Sequence, residues 1–256
     1  MAEPAPAGLA LFPHGAWDVH HHIFDPARFP YSPTRHLTPP PATIAEYAEF
    51  KKKLGITHSV LTHGLSYGAD ISSLTSFVCD LDKSKTKAIG VIDPETITPT
   101  QLHQMQKAGI VGIRVNLYQY SAMHDVDLQK EALRAHVTAI RDCQGWSMAF
   151  THVHPEFWAE LKPFILSEIV PTGIRLVTDH FALLKGVSML SEPTSASGEN
   201  AGEVDVLAQP GVAEILDLMR AGHLYVKISA PYRAAYAADE GPDGGGGAGG
   251  DAVSGG

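Results

Sequence analysis

His20 and His22 stand one residue apart in Asp18-Val19-His20-His21-His22-Ile23-Phe24, near the start of the chain. Side chains of an extended strand alternate between two faces, so the spacing predicts Asp18, His20 and His22 on one face. Trp17, Val19, His21 and Ile23 take the other. Two imidazoles sharing a face can hold a metal ion or handle protons. Further polar residues recur where later apolar runs end: His63, Asp93, Arg114 and Asn116, then Thr151, His152 and His154, then Asp179 and His180, and finally Lys227, Ser229 and Arg233. A His-X-His pair with a separate histidine on a later strand suits a three-histidine metal site with one open position. The metal-free alternative is equally physical: the histidines polarise a carbonyl while Arg114 and Arg233 grip a carboxylate. His58, His103, His136 and His223 fall at element starts or on helices and read as solvated.

The elements that must position these residues alternate along the chain. After the first strand, prolines at 26, 30, 33, 39, 40 and 41 forbid regular structure and predict an ordered loop. Thr43-Ile44-Ala45-Glu46 reads as a capping box opening a helix that Gly55 stops. Strand-like runs follow at 58–63, 88–93, 109–117, 147–153, 174–180 and 224–230, separated by helical patterns at 72–81, 101–108, 128–143 and 155–165. A last helix, opened by Pro210, is predicted to turn Val212, Ile215, Leu216 and Met219 inward. Apolar strands separated by helices predict a parallel sheet covered by helices, and seven in series predict a (β/α)8 TIM-barrel-like α/β fold, incomplete by one strand. An open doubly wound sheet is the alternative, but no Gly-rich phosphate fingerprint follows any strand. Nine of the last sixteen residues are glycine, which predicts a flexible tail. The expected organisation is an extension over 1–15, a barrel domain over 16–235 and a tail over 236–256, with a Ser-, Gly- and Glu-rich loop over 191–209.

Composition narrows the partners. A net charge of -9 gives no electrostatic footprint for nucleic acid or for an anionic membrane surface, so a small molecule is the expected partner. No run approaches the ~20 apolar residues of a membrane span. Cys79 and Cys143 are too few for a disulfide framework and lie in helix-like segments, which favours a reducing, cytoplasmic setting.

Taken together, Asp18 to Pro26, Phe29-Pro30-Tyr31, Gly112 to Asn116, Thr178-Asp179-His180 and Lys227 to Arg233 resemble the amidohydrolase superfamily, and within it the branch of 2-pyrone-4,6-dicarboxylate lactonases. The resemblance runs from Trp17 to Arg233. It implies hydrolysis of an ester, lactone or amide bond in a small carboxylated compound. His20, His22 and His180 would be catalytic or would hold a single metal, and Arg114, Arg233 and Asn116 would bind substrate. It implies either no cofactor or one divalent ion such as Zn2+, since no lysine stands on the fourth strand to bridge two metals. The family's general base is an aspartate at the end of an eighth strand, and nothing after Arg233 resembles that stretch; Asp239, Asp243 and Asp251 lie in the Gly-rich tail. Tyr120 and Leu183 stand where the lactonase branch carries further arginines. The expectation is therefore an impaired hydrolase. The alternatives are a non-catalytic barrel remnant that binds a carboxylate or a partner chain, or a metal-dependent decarboxylase.

Overall fold

Three of the helices in the computed structural model begin where a side chain satisfies their free backbone N–H groups. At α1 (Ile44–Leu54), the Thr43 side chain and Glu46 form a reciprocal capping box, and Gly55 closes the far end at φ 72°. α3 (Pro99–Lys107) repeats the box with Thr98 and Gln101 and has proline in its first turn. α4 (Val126–Ile140) is capped by the Asp125 carboxylate, which accepts from the backbone of Asp127 and Leu128. The structure describes residues 12–13, 15–190 and 205–235. The predicted tail and most of the predicted 191–209 loop lie outside these residues, as do 1–11 and 14.

Between the helices run β1 (Trp17–His21), β2 (His58–Thr62), β3 (Thr86–Gly90), β4 (Ile110–Arg114), β5 (Ser147–Phe150), β6 (Arg175–Thr178) and β7 (Leu224–Val226). All pair in parallel and in chain order, one sheet from β1 to β7. Sequential order with every crossover helical is the winding of a (β/α) barrel rather than of a doubly wound sheet, whose order reverses. Among the described residues the sheet is a curled, incomplete barrel of seven strands with β1 and β7 at its edges. The remaining helices are α2 (Ser72–Asp80), α5 (Trp158–Phe164), the short α6 (Val187–Leu190) and α7 (Val212–Arg220). Phe77, Leu133, Trp158, Ile113 and Phe150 are fully buried between helices and sheet. No helix among the described residues is long and apolar enough to cross a membrane.

Five local expectations are corrected. Asp18 does not join the His20 and His22 face: the β1 register shifts between Asp18 and His21. Its carboxylate instead accepts from the Tyr47 hydroxyl at 3.1 Å and lies 3.7 Å from His21 Nδ1. His136 is buried on α4, its Nδ1 donating to the Ala132 carbonyl at 2.7 Å, because α4 turns that face to the sheet. Met219 is exposed and Leu218 takes the inward position, since the buried stripe of α7 runs through 212, 215 and 218. Pro210 precedes the αL Gly211 that starts α7 and does not occupy its first turn. Cys143 lies beyond the end of α4; both cysteines are free thiols.

Candidate active site

Parallel strands deliver their last side chains to one end of the sheet, and the polar residues gather there. Asp179, immediately past β6, has no exposed side-chain surface and stands at the centre. Its Oδ1 is 3.1 Å from Lys227 Nζ, just past β7, and 3.4 Å from His20 Nδ1 on β1. Its Oδ2 is 3.8 Å from an Arg114 guanidinium nitrogen at the end of β4. These are ion-pair distances, yet neither oxygen has an aligned hydrogen-bond partner. Burial alone would raise the Asp179 pKa, but His20 and the Arg114 and Lys227 cations outweigh it and hold the carboxyl below its ordinary range.

All three site histidines are shifted toward the neutral form. Burial pulls His22 well below its ordinary value, reinforced by the Arg114 charge, and His20 is lowered by burial against the opposing Asp179. His180 is lowered to about 4, first by burial and then by its proximity to His20. His22 Nδ1 lies 2.8 Å from the Thr62 carbonyl, which can only accept, so the His22 proton sits on Nδ1 and Nε2 carries a lone pair. That Nε2 is 3.3 Å from His20 Nε2.

His180 is positioned by an unusual backbone. Residues 180–183 all have φ between 53° and 57°, a left-handed turn that costs roughly 1–2 kcal/mol per L-residue. Tertiary bonds sustain it: the Phe181 N–H donates to the Lys227 carbonyl at 3.0 Å and the Asp179 N–H to Thr151 Oγ1 at 3.1 Å. Ser229 Oγ accepts from the His180 backbone at 3.3 Å and lies 2.9 Å from His180 Nδ1. The turn sets the His180 ring 4.6 Å from that of His20.

Of the residues singled out in the sequence, His20, His22, His180 and Arg114 therefore converge. Arg233, in a short turn after β7, is exposed and reaches the cluster through its charge, which bears on both Arg114 and His180. Asn116 is buried with its Oδ1 unpartnered. His63 packs away from the cluster, accepting from the Val91 N–H and facing Ser73. His152 is buried against Phe157 and Trp158. His154 stands on the surface between His124 and Glu156. Tyr120 is half-buried, its hydroxyl pushed up to about 12 by burial. Sequence reasoning left Asp179 and Lys227 without roles; the local signal for both was a charged residue at the carboxyl end of an apolar strand.

The donor set suits one metal ion. Two nitrogens bound at tetrahedral zinc distances lie about 3.3–3.4 Å apart, the separation of the two Nε2 atoms. His20, Asp179 and His180 can each also offer a donor atom within 4.8 Å of the others. Against this, Lys227 and Arg114 already face the carboxylate.

A family profile described as Amidohydrolase matches residues 17–248. The 4-sulfomuconolactone hydrolase of Hydrogenophaga intermedia is 29% identical over 220 residues, covering 86% of this chain and 64% of the relative, so the chain spans somewhat under two thirds of that protein. The 2-pyrone-4,6-dicarboxylate hydrolase of Comamonas testosteroni is 30% identical over 105 residues, covering 41% of this chain and 34% of that one. A solved structure from Acinetobacter baumannii, described as a probable 2-pyrone-4,6-dicarboxylic acid hydrolase with citric acid bound, superposes with a TM-score of 0.61 at 21% identity. It covers 86% of this chain and 72% of that one and supports the fold.

Proposed function

The chain belongs to the amidohydrolase family, and on that premise we propose that it hydrolyses a lactone or another ester or amide bond in a small carboxylated compound. The observation that carries this reading is the convergence of His20, His22, His180 and Arg114 around Asp179 at the carboxyl end of the sheet. The two hydrolase relatives, each named for a lactone-type substrate, support it.

The residues divide the work by charge. Arg114, buried but still a cation, and Arg233 at the rim present planar forks that suit a carboxylate. Lys227 and Arg114 together exceed the single charge of Asp179, so the cluster favours an anionic substrate. Asn116 offers an unpartnered Oδ1 acceptor for a further polar substrate group. Ser229 Oγ accepts from the His180 backbone and can also donate its own hydrogen to Nδ1. In the tautomer where it does so, His180 Nε2–H is a neutral donor to the carbonyl oxygen as negative charge develops there. Asp179 is a poor general base, because its neighbours hold it ionised. One divalent ion, Zn2+ in our reading, held by His20, His22 and His180 with the His180 proton then on Nδ1 toward Ser229, would instead supply Lewis-acid polarisation of the same carbonyl. The unpaired Cys79 and Cys143 favour a cytoplasmic setting.

The test is turnover of a panel of carboxylated lactones and aryl esters by the purified chain, followed by acid release. His180→Ala should lower kcat by about 10²-fold or more, and Arg114→Met should act mainly through KM. Equal rates for the parent and His180→Ala would sink the role given to that histidine.

A further inference from the structure

At His20 two tautomers compete, and the structure shows which neighbour stands behind each. The Thr62 carbonyl takes the His22 Nδ1 proton, so His22 Nε2 can only accept. The 3.3 Å contact between the two Nε2 atoms is then a hydrogen bond only if His20 carries its proton on Nε2. His20 Nδ1 is thereby left as a lone pair, and a donor is waiting for it: Lys227 Nζ lies 3.4 Å away. The chain runs in one direction, Lys227 to His20 to His22 to the Thr62 carbonyl, with every proton placed. The other tautomer puts the proton on Nδ1, where Asp179 Oδ1 lies 3.4 Å away. It is the only neutral form in which both Nε2 lone pairs face each other, as a shared metal ion requires. Its Nδ1–H would meet the Lys227 ammonium, donor against donor, and neither Asp179 oxygen has an aligned hydrogen bond.

We propose that Lys227 is a positioning residue that governs metal occupancy of the His20 and His22 pair, its ammonium holding His20 in the tautomer that closes the pair to a divalent ion. Lys227 and Asp179 act on the same nitrogen in opposite senses. The carboxylate favours the metal-binding tautomer, as an outer partner of a ligating histidine does, and the ammonium favours the closed one. Arg114 also faces Asp179, so loss of Lys227 does not leave that carboxylate bare. The proposal rests on the site described above but not on its turnover, because its readout is metal affinity.

The experiment titrates the 256-residue chain with Co2+, read by visible absorption and metal analysis. Lys227→Met should bind one ion about 10–100-fold tighter than the parent, the range by which partners of a ligating histidine alter affinity. Lys227→Arg, which keeps a cationic donor, should stay near the parent, and adding His22→Ala to Lys227→Met should abolish the gain. Unchanged or weaker binding by Lys227→Met would overturn the proposal, as would an equal gain in Lys227→Arg or a gain that survives loss of His22. A second measurement needs no variant: nitrogen NMR of the metal-free parent should find His20 protonated on Nε2. Protonation on Nδ1 would overturn the proposal.

Discussion

Asp179 illustrates how one residue can be costly by itself and indispensable in company. Moving a carboxylate out of water is repaid only by close partners, and here His20, Lys227 and Arg114 all lie within 3.8 Å. Asp179→Asn keeps the shape but removes the charge, leaving two cations facing a neutral amide. Breaking a buried pair in this way costs about 3–5 kcal/mol, so the urea midpoint of Asp179→Asn should fall sharply. A midpoint unchanged within error would show that Lys227 and Arg114 are solvated well enough to stand alone. The residue scale is also where sequence reading reached least far. A charged residue at a strand end was visible at 179 and 227, but the partners that make it matter lie on four different strands or strand ends.

At the scale of elements, β4 and β5 approach so closely that one position has no room for a side chain. A Cβ on Gly112 would lie 2.6 Å from Ser147 Oγ and nearer still to the Ser147 carbonyl oxygen, which is backbone and cannot swing aside. Gly112 pairs with Ser147 in the ladder that delivers Arg114 to the site. Gly112→Ala should therefore destabilise by about 1–3 kcal/mol, the usual cost of overpacking, and should weaken substrate binding by moving Arg114. Denaturant unfolding and KM together check this. Helix boundaries were legible because caps are local: Thr43 with Glu46 and Thr98 with Gln101 are three residues apart and bond to each other. The faces of elements were less legible. A register shift in β1 turned Asp18 toward Tyr47, and the side of α4 that meets the sheet buried His136, and neither follows from periodicity.

Across the whole molecule, buried neutral histidines tie stability to pH. His21, His63, His152 and His180 are each lowered to about 4 from an ordinary value of 6.5, with burial the largest cause in every case. Between those two values the unfolded chain binds protons that the folded chain does not. Stability is therefore complete above about pH 6.5 and is lost as pH falls toward 4, at up to about 1.4 kcal/mol per pH unit for each fully buried histidine. Thermal unfolding followed from pH 7 to pH 5 should show a falling Tm. His152→Phe, which fills the aromatic pocket of Phe157 and Trp158 without a titratable group, should make that fall shallower.

The order of strands and helices, the barrel winding and the end of the sheet where chemistry gathers were determined by sequence alone, because apolar periodicity, caps and turn residues act over a few neighbours and parallel connection dictates which end the polar residues reach. Which of those residues meet was decided by the tertiary curl. His20 and Lys227 are 207 residues apart in sequence and 3.4 Å apart in space, and His180 reaches His20 only through four left-handed residues that no local preference favours. The charges and bonds that neighbouring strands bring to Asp179 and to the His180 turn exist only once the sheet has curled around them.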